Sequence, residues 1–142
     1  MIATGSTRGG GRTRRVDPAW FTGKTSLKVL PGPGGSDMYH VRFSRGARTK
    51  MHSHGGEQLL IATSGGGVLE TYRRSGSRTR RASRISLGEG DIARIPAGVL
   101  HAHGSAGRSA FSHIAINVRR GGRAFRTDWL DVDGDGRITG RL

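Results

Sequence analysis

The stretch KMHSHGGEQLL, residues 50–60, sets His52 and His54 one residue apart and follows them with Glu57 and Gln58. Imidazole nitrogens with a side-chain oxygen nearby can hold a transition metal or carry protons. The chain has no cysteine, which excludes disulfides and thiolate metal sites. Side chains alternate between the two faces of an extended chain. His52, His54 and Gln58 share a parity, so a strand with a turn at Gly55–Gly56 aims all three to one side. Glu57 has the other parity and is expected to face outward, away from any site that His52 and His54 form. Three more histidines, His101, His103 and His113, stand in the segments VLHAHGS and SHIAINV. The sixth, His40, lies in MYHVRFS, where Tyr39, Val41 and Phe43 share the opposite parity and read as core-facing. His40 is therefore expected on the outer side of its strand.

The histidines belong to two spaced patterns. Gly46 is followed by five residues, His52, one residue, His54, three residues, Gln58, six residues and Gly65. Gly90 is followed by five residues, Pro96, one residue, Gly98, two residues and His101. This pair resembles the two motifs of the cupin superfamily, G-x5-H-x-H-x3,4-E-x6-G and G-x5-P-x-G-x2-H-x3-N. Two positions depart from it: Gln58 replaces the glutamate, and Ser105 stands where the asparagine belongs. The resemblance implies an all-β fold, a cupin double-sheet β-barrel or jelly roll. It also implies a metal bound by His52, His54, Gln58 and His101. That donor set suits one divalent transition metal, Mn, Fe, Co, Ni or Zn.

Within the superfamily the chain looks like the small monocupins that include bacterial manganese-dependent (R)-hydroxynitrile lyases. The likeness runs through WFTG (20–23), GARTKMHSH (46–54), PAGVLHAHG (96–104), SHIAI (112–116) and DWL (128–130). Members of that group carry glutamine at the position of Gln58 and histidines at those of His103 and His113. The resemblance implies manganese, a small cyanohydrin substrate and a homodimer or higher homo-oligomer. Two other readings use the same barrel: a metal-dependent dioxygenase or isomerase, and a non-catalytic small-molecule-binding module.

His103 shares the parity of His101, so both are expected inside the barrel. An antiparallel hairpin centred near Arg108 would bring His113 opposite His103. These two histidines are the candidate catalytic acid and base: one takes the substrate hydroxyl proton, the other returns a proton to the leaving carbanion. Tyr39, Val41 and Asn117 are the candidate substrate-binding residues, Asn117 because it shares a face with His113 and Ala115.

The elements that must position these groups are short strands. Glycine accounts for 25 of the 142 residues and only 33% are hydrophobic, a balance of strands and turns around an economical core. Segments such as TSLKVL, EQLLIATS, GVLETYRR and DIARIP are each bounded by Gly, Pro or Ser. Residues 1–16 carry almost nothing to bury and are expected to be a disordered basic tail. Residues 17–120 are expected to form the barrel, and 121–142 a polar C-terminal extension. The arginine-rich stretch 72–84 reads as a lengthened, exposed hairpin that the site does not need. The net charge of +14 attracts acidic surfaces in general. Its arginines are not interleaved with aromatics, so no specific nucleic-acid partner is expected. No segment has the length of a membrane span or the apolar core of an export signal, so no membrane partner and a cytoplasmic location are expected. DVDGDGRITGRL (131–142) imitates a calcium loop, but Leu142 stands where a bidentate glutamate is required.

Overall fold

The computed structural model describes residues 2–8 and 11–142. Among these there are thirteen strands, and the only helical turn is a 3-10 turn at Pro18–Trp20. Asp17 caps that turn by accepting the Ala19 N–H at 2.9 Å. No helix is long and apolar enough to cross a membrane among the described residues.

The strands are β1 (Thr13–Arg14), β2 (Phe21–Thr22), β3 (Thr25–Leu30), β4 (Ser36–Phe43), β5 (Arg48–Thr49), β6 (Met51–His54) and β7 (Gln58–Ser75). They continue as β8 (Arg78–Gly88), β9 (Ile92–Ile95), β10 (Leu100–Ser105), β11 (Phe111–Val118), β12 (Thr127–Val132) and β13 (Ile138–Arg141). All pair antiparallel, in two facing sheets. One sheet runs β1–β3–β4–β11–β7–β9 and the other β8–β7–β10–β6–β12–β13.

β7 belongs to both sheets. Its first half pairs with β11 and β9, its second half with β10 and β8. Sequence patterning reads this stretch as two strands, EQLLIATS and GVLETYRR. The structure joins them through Gly65, Gly66 and Gly67, where the strand turns the corner of the barrel. Gly65 has φ +74°, and a Cβ there would run into the Ala110 carbonyl oxygen. At Gly67 a Cβ would run into the Phe111 ring. The corner therefore requires glycine both for backbone angle and for close approach.

Between the sheets lie Phe43, Phe111, Leu60, Val41, Leu87 and Ile95, all buried. Phe43 and Phe111 stack at 6.2 Å. A core this small is enough because antiparallel strands need bury only one face each.

Three expectations are corrected. Thr13 and Arg14, placed in a disordered tail, form β1 and pair with Lys28 and Leu27 of β3. The backbone ladder supplies there what apolar side chains do not. At Met1, Gly9 and Gly10 the expected disorder lies outside the described residues. Residues 121–142 are no appendage to a barrel ending at 120, because β12 pairs with β6 and sets Trp129 opposite His52. Finally, β10 and β11 do not form a hairpin about Arg108; each pairs instead with a different half of β7, in opposite sheets.

The 72–84 stretch is the extended β7–β8 hairpin that its composition suggests. It does more than protrude, however. Thr79 N–H donates to the Gly136 carbonyl at 2.6 Å, and Ile138 N–H to the Ser77 carbonyl at 2.7 Å, so the C-terminal turn rests on it. At its base the buried Glu70 carboxylate meets Arg48, Arg81 at 2.7 Å and Arg84 at 3.4 Å. Burial alone would raise the Glu70 pKa; the hydrogen bonds from Arg48 and Arg81 prevail and hold it below the usual carboxylate value. In the acidic turn, Asp133 Oδ1 accepts the N–H groups of Asp135 and Arg137, an Asx-type closure that needs no ion.

Candidate metal and acid–base site

His52 and His54 lie on β6, His101 and His103 on β10, and His113 on β11, all pointing between the sheets. His101 and His52 are direct cross-strand partners. Their rings are 4.2 Å apart, and that of His54 is 4.9 Å from His52 and 4.8 Å from His101. Strand alternation places His103 on the same side as His101, as its parity requires. His113 reaches it from the opposite sheet, and His113 Nε2 lies 3.1 Å from His103 Nδ1. The pair expected across a hairpin thus forms across the barrel interior.

Five of the six histidines are therefore packed together, each less than a tenth exposed. Burial, more than mutual repulsion, keeps them neutral. It lowers the pKa of His54 to about 3, of His101 to about 4 and of His113 to about 3. His52 and His103 are also held well below the ordinary value, first by burial and then by their imidazole neighbours. Neutral imidazole has one nitrogen free to ligate.

The hydrogen bonds show which one. His52 Nδ1 is 2.8 Å from the Lys50 carbonyl and His101 Nδ1 is 2.8 Å from the Val99 carbonyl. Each Nδ1 must carry the proton to donate there, which leaves Nε2 with its lone pair. His101 Nε2 is buried without a partner, as are His54 Nδ1 and Gln58 Oε1. Gln58 is oriented by donating from Nε2 to Asn117 Oδ1 at 2.7 Å, which leaves its buried oxygen free to ligate. Unpartnered buried polar atoms are costly, and a cation bound among these side chains would offset that cost. This donor set fits a divalent metal. One three-histidine group, His52, His101 and His103, has donor atoms that all lie within 4.8 Å of one another. It shares His52 and His101 with the set expected from the motifs and differs in having His103 for His54.

The remaining site residues fall as follows. Glu57 faces outward and pairs with Arg94 at 2.7 Å. Tyr39, Val41 and Asn117 line a cavity of about 650 Å³ together with His52, His54, Gln58, His103 and His113. His101 is completely buried behind it. His40 sits on the outer sheet face, as its parity predicts, but is buried there, with Nε2 at 3.1 Å from Thr63 Oγ1. Ser105, in the place of the motif asparagine, ties the two motifs together. Its Oγ accepts the Gly46 N–H at 2.9 Å and donates to the Ser109 carbonyl at 2.6 Å.

Sequence reasoning missed the aromatic wall and the basic rim of this cavity. Trp129 stacks on Trp20 at 5.1 Å and lies 4.2 Å from the His52 ring; Phe125 lies 4.8 Å from His54. Arg14 and Arg15 close the cavity from the N-terminal side. The signal for the wall was the tryptophans themselves, the only two in the chain. The arginines carried none, being two among many.

No protein-family model matches the chain. It is 34% identical over 115 residues to the (R)-mandelonitrile lyase of Granulicella tundricola, covering 79% of this chain and 80% of that one. A cupin-like protein from Thermotoga maritima superposes with a TM-score of 0.66 at 31% identity over 89% of both chains. A cupin superfamily protein from Desulfitobacterium hafniense shares the fold at 20% identity, with a TM-score of 0.56 over 68% of this chain and 79% of that one.

Proposed function

Since the chain belongs to the family of small cupins that includes the (R)-mandelonitrile lyase of Granulicella tundricola, we propose that it is a metal-dependent lyase of the hydroxynitrile lyase type, acting on a small cyanohydrin. One observation carries this reading: buried, unpartnered donor atoms of His54, Gln58 and His101 beside a hydrogen-bonded His103–His113 pair. The metal ligands in this reading are His52, His54, Gln58 and His101, with manganese as the cation by family likeness. His54 and Gln58 are preferred to His103 because each holds a buried atom with no partner, and His103 holds none. When bound, the cation supplies Lewis acidity toward the substrate oxygen.

The chain's own residues do the rest. One imidazole of the His103–His113 pair takes the proton of the substrate hydroxyl. The carbon–carbon bond to the nitrile then breaks, the oxygen becomes the aldehyde carbonyl, and the departing cyanide carries the electron pair. The other imidazole gives a proton to cyanide and is reprotonated by the first across the 3.1 Å His103–His113 contact, so aldehyde and hydrogen cyanide leave and both imidazoles are neutral again. Tyr39 and Val41 offer walls for the substrate body, while Asn117 holds Gln58 in place. The aromatic wall of Trp20, Trp129 and Phe125 gives the histidine end of the cavity an apolar side.

The test combines elemental analysis with cyanohydrin cleavage before and after metal removal. Stoichiometric metal and turnover that disappears on chelation support the reading. His103→Gln and His113→Gln should keep full metal content and lose turnover, whereas His54→Gln should lose metal. A full metal complement in His54→Gln together with metal loss in His103→Gln would transfer the ligand role to His52, His101 and His103. Absence of cyanohydrin cleavage in the metal-loaded protein would remove the lyase assignment.

A further inference from the structure

The cavity has a second chemistry at its mouth. β1 lays the N-terminal segment along β3, and this carries Arg14 and Arg15 to the cavity wall. Arg14 is held in two ways by one residue: its Nη1 donates to the Tyr39 hydroxyl at 2.8 Å, and its guanidinium carbon lies 5.5 Å from the Tyr39 ring centre. Tyr39 in turn is part of β4 and packs against the barrel core. A side chain that would otherwise sweep through solvent is thereby directed at the opening.

Its charge is not answered from within the protein. Three arginines line the cavity, Arg14, Arg15 and Arg119, against two carboxylates, Asp17 and Asp37. Neither carboxylate pairs with Arg14. Asp37 is paired with Arg119 at 2.5 and 3.3 Å, and Asp17 caps the turn at Ala19. Among the described residues no carboxylate lies within ion-pair distance of Arg14. The donors of Arg14 not used by Tyr39 match a planar oxyanion, which a guanidinium binds through parallel N–H···O bonds.

We propose that Arg14, positioned by Tyr39, is a specificity-determining anchor for an oxyanion head group, and that the substrate is a small organic anion. Its apolar body lies against Tyr39, Val41 and the Trp20–Trp129 wall, its reacting end is at the histidines, and its carboxylate or phosphate is at Arg14. This deepens the proposed function by naming the substrate class and rests on that reading for the reacting end alone.

The test uses the full-length protein and three probes: phenylacetate, its neutral isostere phenylacetamide, and phenyl phosphate. Binding is read from tryptophan fluorescence, since both tryptophans of the chain line the cavity. The protein is titrated as purified and after chelation. Phenylacetate should bind about ten-fold more tightly than phenylacetamide in both states, weakening as salt rises. Phenyl phosphate separates a carboxylate site from a general oxyanion site, and either result agrees with the proposal. Arg14→Gln should abolish the preference and leave phenylacetamide binding unchanged. Arg80→Gln, the same charge change on the exposed hairpin, should preserve it. Tyr39→Phe, which removes only the hydroxyl that orients Arg14, should reduce it partially. The proposal is overturned if acid and amide bind alike, or if the preference survives Arg14→Gln. It is equally overturned if the preference exists only in the metal-loaded protein, because the oxyanion would then sit at the histidines. Failure of cyanohydrin turnover leaves these titrations untouched, so the two readings fail separately.

Discussion

Among the described residues Asn117 hydrogen-bonds one candidate ligand, Gln58, and its removal should be felt by the metal. The carboxamide of Gln58 presents either an oxygen or an NH2 group to the histidines, and only the oxygen ligates. The bond from Gln58 Nε2 to Asn117 Oδ1, 2.7 Å long, selects the oxygen. A net hydrogen bond of this kind contributes about 1 kcal/mol, and a buried donor left without a partner costs about 1–3 kcal/mol. In Asn117→Ala the amide can turn over at little cost, so the metal loses an orientation preference of about 1.4 kcal/mol, or roughly ten-fold in dissociation constant. That value lies at the lower end of the roughly 10–100-fold losses seen when residues supporting a ligand are removed. Asn117→Asp keeps an oxygen acceptor at the same place and should restore affinity. The assay is competition for manganese or zinc against a chromophoric chelator, with far-UV circular dichroism to establish folding. Equal metal affinity in parent, Asn117→Ala and Asn117→Asp would refute the orienting role. Undiminished affinity in Gln58→Ala would remove Gln58 itself from the ligand set.

The metal-free protein should be acid-labile. Burial lowers the folded-state pKa of His54 and His113 to about 3 and of His101 to about 4, so the unfolded chain takes up protons below its ordinary value of 6.5 while the folded one does not. Stability is thus full above 6.5, falls as pH drops below it, and levels off near the folded values. At pH 5 each group costs about 2 kcal/mol, a large share of a domain's stability. An equal urea midpoint at pH 7 and pH 5 would contradict this. Gly65→Ala should destabilise by about 3 kcal/mol or more, combining a positive φ with collision against the Ala110 carbonyl. A melting temperature within a degree of the parent would show that the corner relaxes. Replacing residues 74–79 by Asn-Gly should leave metal content unchanged, since no residue of 72–84 lines the histidine cavity. It should nevertheless lower the melting temperature by about 5 °C, because the backbone bonds to Gly136 and from Ile138 are lost. Leu59, Ile61, Ile92, Ile114 and Ile116 form an apolar outer face, with Ile92 64% exposed. We expect a second copy to cover it, so the parent should sediment as a dimer or larger and Ile92→Glu should shift it toward 15.2 kDa; a monomeric parent refutes this.

The residues that face the cavity were legible because alternation along a strand is a strong rule. His52, His54 and Gln58 were assigned one side, Glu57 the other, and each lies there. Alternation specifies a face but not a partner strand. Parity therefore puts His103 and His113 inside, where they lie, but the hairpin it suggests between them does not form, since nothing local records that β7 bends to serve both sheets. His40 shows the same limit: its face was legible, but not the Thr63 hydroxyl that covers it. Composition misled more. Residues 121–142 are polar overall, and in such a segment Leu130 inside the sheet and Trp129 on His52 suffice to dock it. Thr13 and Arg14 are held chiefly by backbone bonds, to which composition is blind.

Gln58 gives the site its electrostatic character. Every donor that converges on the histidine cluster is a neutral group, held so by burial in the imidazoles and by chemistry in the amide. A glutamate at 58 would have to keep its negative charge in a dry interior, which is expensive until a cation arrives. With glutamine the barrel can close around its ligands before any metal binds, at the smaller cost of unpartnered neutral acceptors. The same choice leaves the double charge of a bound cation uncompensated by the protein. The rim adds to this field, since Arg14 lines the cavity and is paired with neither of its aspartates. Floor and rim thus favour anions independently, one where a bond breaks and the other where a substrate is held. A neutral substrate would be expected to use only the floor, and an anionic one both, which is why the acid–amide comparison at Arg14 separates recognition from chemistry.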